Sequence, residues 1–183
     1  MEKARLRYTI LGLSDGLFLG IGLSLGVSFF HTYSLTFASI LLVGITGALS
    51  NMFATYNAEN FATGQQMLEY REALFLKEYK PNKITKGKAK KNIGYAFRSF
   101  LFTMIGSLIV LAPYATFYLN GQSGILPASI ISLAISLIVL GFIGSYNEEE
   151  LHEKIMAGLK TIGIGIAIAA LSTLVGFILS IVL

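Results

Sequence analysis

Residues 8–30 read YTILGLSDGLFLGIGLSLGVSFF, an almost uninterrupted apolar run with one formal charge, Asp15. A helix needs about 20 such residues to cross roughly 30 Å of hydrocarbon, so this stretch is long enough to span a bilayer. Further runs of the same kind follow at about 35–56, 97–118, 126–146 and from 159 to the end. Five spans and short connections use nearly all of the 183 residues. The composition agrees: 54% hydrophobic and 13% charged residues, with a mean hydropathy of +0.69, is more apolar than one soluble core requires. The expected fold is an all-α membrane protein of five transmembrane helices in a single domain, residues 1–183.

The basic start, Met1 to Arg7, followed by an apolar run superficially resembles a secretion signal. The run is too long for one and carries Asp15 and several glycines in its middle, so it is expected to stay as the first span. Cysteine is absent, which removes disulfides, thiolate metal sites and cysteine nucleophiles. Any metal ion is left to oxygen, nitrogen or thioether donors.

From Glu59 to about Arg98 lies the one long polar stretch, with four glutamates and nine lysines and arginines. Its first half has apolar residues at helical spacing (Phe61, Leu68, Phe75; Met67, Tyr70, Leu74), so the second span is expected to run on as an amphipathic helix to about Tyr79, with Pro81 ending it. Residues 59–96 thus form an extramembrane segment between spans two and three. Every lysine and arginine falls in the N-terminal tail, in this segment, or near the connection between spans four and five. The positive-inside rule then puts the N-terminus and both basic connections in the cytoplasm and the C-terminus outside. The net charge of +4 serves orientation and attraction to anionic lipid head groups rather than nucleic-acid binding. A chain without organelle-targeting additions suggests a prokaryotic cell membrane.

Nine of the ten acidic residues lie in or beside the polar segments, and the exception is Asp15, about 12 Å into its span. A carboxylate facing lipid costs at least about 2.5 to 3.5 kcal/mol, so Asp15 should face protein or a wet cavity, where it can bind a cation or a proton, or else serve structurally by capping a broken helix or hydrogen-bonding a neighbouring span. Gly12, Gly16, Gly20, Ser24 and Ser28 recur every four residues and form a stripe on which another backbone can approach closely. That backbone can belong to a second copy or to the same chain.

On the second span Met52, Tyr56 and Glu59 share one helix face, with Asn51 and Thr55 at its edge. Together they could escort a divalent ion, oxygen donors alone suiting Mg²⁺, Ca²⁺ or Mn²⁺ and an added thioether shifting preference toward Fe²⁺. As packing residues they would fill a gap and mark the membrane interface. Glu69 and Glu72 stand one turn apart, and Glu149, His152 and Glu153 have i, i+3, i+4 spacing, so either set could gather metal if helical. There is no nucleotide-binding loop, hydrolase elbow or paired-histidine motif, so no enzymatic activity and no permanently bound cofactor are expected, and transport would be passive or driven by an ion gradient.

Gly12-Leu13-Ser14-Asp15-Gly16-Leu17 resembles the first-helix signature of the vacuolar iron transporter family, and Gly47-Ala48-Leu49-Ser50-Asn51-Met52 followed by Tyr56 resembles its second-helix motif. Ala112-Pro113-Tyr114 in the third span, and Gly158, Gly165 and Gly176 in the fifth, match in the same order. The resemblance implies a homodimer with its first helices near the two-fold axis, exporting cytosolic Fe²⁺ or Mn²⁺ in exchange for protons. It also implies that Asp15 contributes to the ion pathway. Where the family has methionine then glutamate in its second helix, this chain aligns Asn51 and Thr55, and its polar insertion is short and basic rather than long and rich in glutamate. A membrane scaffold or lipid-binding protein that kept the fold without the ion route, or a transporter of another solute, is the competing expectation.

Overall fold

The computed structural model describes residues 2–30, 33–73, 83–120, 124–146 and 148–182, with backbone alone at 2–3, 71–73 and 83–86. The helix end expected at Pro81, with Tyr79 before it, lies outside these residues, as do 31–32, 121–123 and 147 in the connections between the other spans. Five α-helices follow in order: α1 Glu2–Val27, continued by a short 3-10 turn Ser28–Phe30, then α2 Tyr33–Ala73, α3 Lys83–Leu119, α4 Ile125–Ser145 and α5 Leu151–Val182. All five are long and apolar enough to cross a membrane, and no strand occurs among the described residues.

The helices differ in how far they overshoot a bilayer. At about 1.5 Å per residue the 21 residues of α4 reach about 31 Å, one hydrocarbon thickness, whereas the 41 of α2 and 37 of α3 reach about 62 and 55 Å. The surplus of α2 and α3 lies at one end and pairs into a hairpin: Asn92 Nδ2 donates to Asn60 Oδ1 (3.0 Å) and Thr63 Oγ1 (3.2 Å), and Lys88 Nζ to Gln66 Oε1 (3.2 Å). The third helix therefore begins at Lys83 rather than near Phe97, because hydropathy marks only the lipid-embedded part of a helix. The fifth begins at Leu151 rather than near Leu159 for the same reason, which draws His152, Glu153 and Lys154 into its first turns.

Burial is inverted relative to a water-soluble bundle. Large apolar side chains cover the outside, among them Leu42, Phe53, Phe142 and Leu171, as lipid contact requires. Inside are small hydroxyl residues, with Ser24, Ser99, Thr103, Ser107, Ser129, Ser132 and Ser136 all buried. They let helices approach and hold them: Tyr114 Oη hydrogen-bonds to Ser24 Oγ (2.6 Å) and Ser129 Oγ (2.8 Å), joining α1, α3 and α4, and Ser132 Oγ donates to the Val110 carbonyl (2.6 Å). Two apolar clusters fill the rest, Leu17, Ile21, Val110, Leu140 and Ala169 in one, Ile40, Leu111, Tyr114, Ile125 and Ala128 in the other.

Helix α1 packs against each of the other four. Its stripe of small residues meets α3 of the same chain. A Cβ on Gly12 would lie 2.6 Å from the Ser99 carbonyl oxygen, one on Gly16 would run into the Thr103 carbonyl, and one on Gly106 would lie 2.5 Å from the Leu13 carbonyl oxygen. Both helices have thus given up side chains along one seam, and of the two partners open to the stripe, α3 takes it. Gly176 does the same for α5, where a Cβ would strike the carbonyl of Gly26. Pro113 and Tyr114 lie buried within α3.

Candidate ion site

The α1 face flanking this seam carries Leu11, Asp15 and Leu19 at i, i+4, i+8. Leu11 and Leu19 are exposed and Asp15 is half-buried, so this face is not closed by the chain's own packing. Asp15 lines a groove of about 570 Å³. Its walls are Phe18 and Leu19 from α1, Gly47, Ser50, Asn51 and Ala54 from α2, and Ile168 from α5. Helices α2 and α5 flank the groove without extensive contact between them.

Three helices fix the carboxylate. Asn51 Nδ2 donates to Asp15 Oδ2 (2.9 Å) and to Thr103 Oγ1 (2.9 Å), while Thr103 Oγ1 donates to the Ser99 carbonyl (2.9 Å). One amide on α2 therefore clamps an acid on α1 to a hydroxyl on α3. No cation pairs with Asp15 among the described residues, whose one ion pair is Arg7 with Glu59 at 3.0 Å. The acid meets the cost of its position through one amide hydrogen bond and an opening rather than through a counter-charge.

The other expected ligands are dispersed. Met52, one residue and about 100° from Asn51, is exposed and does not line the groove. Tyr56 is half-buried, a turn nearer the hairpin end. Glu59 accepts hydrogen bonds from Arg7 and from the Tyr8 hydroxyl, tying α2 to the start of α1, and Tyr8 stacks on Tyr95 of α3 with ring centres 5.4 Å apart. Glu69 is exposed, and Glu72 belongs to α2 with its side chain outside the described residues. Glu149, His152 and Glu153 are exposed near the start of α5. Among the described residues no three His, Asp or Glu side chains converge on one point.

Thr103 and Ser50 were not singled out from the sequence as site residues. Thr103 sits in Ser99, Thr103, Ser107, a run of small hydroxyl residues every four positions that mirrors the α1 stripe, and that repeat is the signal that could have found it.

The sequence profile of the VIT family matches residues 57–177, 121 of the 183 residues. The chain belongs to the VIT family. An uncharacterized protein of Methanocaldococcus jannaschii is 27% identical over 167 residues, covering 90% of this chain and 85% of that protein. VIT family members are membrane transporters of divalent metal or other ions, so transport, not catalysis, is the class of function that membership implies. The profile match runs from the outer part of α2 through α5 and leaves the Asp15 motif and Gly47 to Tyr56 beyond it. The case for Asp15 therefore rests on its surroundings in the fold.

Proposed function

We propose that this VIT family protein is a homodimeric, proton-coupled exporter of a divalent metal ion, in which Asp15 holds metal and proton in turn. The observation that carries the reading is a carboxylate lining a groove within the apolar spans, held by the Asn51 amide and by no cation among the described residues. A carboxylate binds a divalent ion only when deprotonated, so a proton arriving from the acidic side displaces the ion, which is the elementary step of exchange.

The lysines and arginines gathered at the starts of α1, α3 and α5 support placing that end of the bundle in the cytoplasm. Ions then enter past Glu59, Tyr56 and Met52 and reach Asp15 about 12 Å deeper, eight residues along α2 from Glu59 to Asn51. A second copy laid over the open groove brings two Asp15 carboxylates toward one axis and supplies the second acid that one chain lacks. The donors at hand are a carboxylate, an amide and the Ser50 hydroxyl, all hard, and Met52 lies off the groove. That set favours Mn²⁺ over Fe²⁺. The protein works in the cell membrane of a prokaryote.

The test is Mn²⁺ uptake into proteoliposomes under a pH gradient. The wild-type chain carries Mn²⁺ against the proton flow, while Asp15→Asn abolishes uptake with the dimer intact. Equal uptake by the mutant contradicts the proposal. A scaffold without transport, the reading favoured by the lack of a three-ligand cluster among the described residues, predicts no uptake by either protein and no heat on titration with Mn²⁺, Fe²⁺ or Co²⁺.

A further inference from the structure

A second groove, of about 670 Å³, opens at the hairpin end between the start of α1 and one face of α3. Its α3 wall is Gly87, Lys90, Lys91, Gly94, Phe97 and Leu101, spaced at three and four residues and hence on one side of the helix. Gly87 and Gly94 give this face its hollow: a Cβ at either position meets nothing within 4 Å. Unlike the glycines of the α1 seam, they face open space among the described residues.

The groove is graded along its length. At the outer end stand Arg5, Lys90 and Lys91, all exposed, with no carboxylate among the lining residues and none of the three in an ion pair with a described residue. Arg7, near Arg5, is already neutralised by Glu59. Further in, Arg98 is held in place, its Nε donating to Thr9 Oγ1 (2.7 Å) and its guanidinium 5.6 Å from the centre of the Phe102 ring. At the inner end the wall is apolar, with Phe97 and Leu101 53% and 41% exposed. Lys91 to Leu101 is ten residues, about 15 Å along the helix, which is the step from head-group level into the acyl region.

We propose that this groove binds one anionic phospholipid, its phosphate against Arg5, Lys90 and Lys91 and an acyl chain along Phe97, Leu101 and Phe102. Cations without an ion-pair partner among the described residues, above an apolar channel, complement a molecule with a negative head and a hydrocarbon tail. A free phosphate would leave the inner half of the groove empty. The site is separate from the Asp15 groove, and the inference holds whatever ion the protein carries.

Native mass spectrometry of the full chain in neutral detergent, titrated with phosphatidylglycerol, phosphatidylcholine or inorganic phosphate, tests it. The wild-type chain retains phosphatidylglycerol in preference to phosphatidylcholine. Replacing both lysines (Lys90→Gln with Lys91→Gln) weakens phosphatidylglycerol binding by about fivefold per lysine and leaves phosphatidylcholine unchanged. Gly94→Leu fills the hollow and weakens both lipids, while its thermal unfolding in lipid-free detergent stays at or above the wild-type midpoint, because nothing in the chain is displaced. Equal affinity for the two lipids overturns the proposal, as does full retention of the phosphatidylglycerol preference by either folded variant. Displacement of bound lipid by inorganic phosphate at matching concentration overturns it in favour of a soluble anion.

Discussion

The two sides of α1 are built to opposite specifications. Toward α3 the helix presents Gly12, Gly16, Gly20 and Ser24, and the two backbones come so close that a methyl group at Gly16 has no space. Toward α2 and α5 it presents Asp15, Phe18 and Leu19 and is left open. The contrast teaches where rigidity and access are divided in this fold. The closed seam supplies the position of α1, so the open face can keep a carboxylate in the membrane with one amide partner and room for a guest.

Substitutions on the two sides should therefore behave differently. Gly16→Leu puts a branched side chain into the Thr103 carbonyl and Gly106→Leu into the Leu13 carbonyl. Either should cost more than about 3 kcal/mol, enough to abolish a monodisperse folded protein in size-exclusion chromatography, and a well-folded Gly16→Leu variant would break the comparison. Asn51→Ala comes next. It leaves Asp15 and Thr103 without their shared donor and should destabilise by about 1.5 to 3 kcal/mol, read as a lower unfolding midpoint, together with impaired transport. Asp15→Asn should lower the midpoint little or raise it, since it removes a charge from the membrane while transport is lost; a large loss of stability would make Asp15 a structural cap instead. The smallest effect is expected from Glu59→Gln, which removes the charge that faces the exposed Arg7 but leaves an amide oxygen to accept from Tyr8, and should cost less than about 1 kcal/mol.

How far the sequence led is clearest at particular residues. The five spans were legible because each is an apolar run longer than a bilayer needs, and no soluble fold competes for such runs. The helical stretch from Lys83 to Ala96 was hidden because its lysines and asparagine read as a polar connection, although α2 offers it Asn60, Thr63 and Gln66 as partners. The α1 stripe announced a close neighbour but could not name it, since a glycine records only that space is needed. Its complement, Gly106 between Thr103 and Ser107, identifies α3 only once the two helices are seen together.

Asp15 was legible on the cost of its charge alone. Its partner was less so, because Asn51 and Met52 are adjacent in sequence yet about 100° apart around α2, and which of them turns inward depends on how α2 is rotated against α1. The structure turns Asn51 inward, toward Thr103 as well as Asp15. Thr103 could not have been chosen for its residue type, because a threonine in a membrane helix commonly bonds its own preceding turn, as this one also does to Ser99.

The most direct test of the central claim is an anomalous-scattering map from crystals of the full chain soaked in Mn²⁺. The account predicts a peak bonded to the Asp15 carboxylate beside Asn51, absent from the Asp15→Asn crystal. Peaks confined to Glu69, Glu72 or the Glu149 to Glu153 region, with none at Asp15 in a protein that transports Mn²⁺, would contradict it.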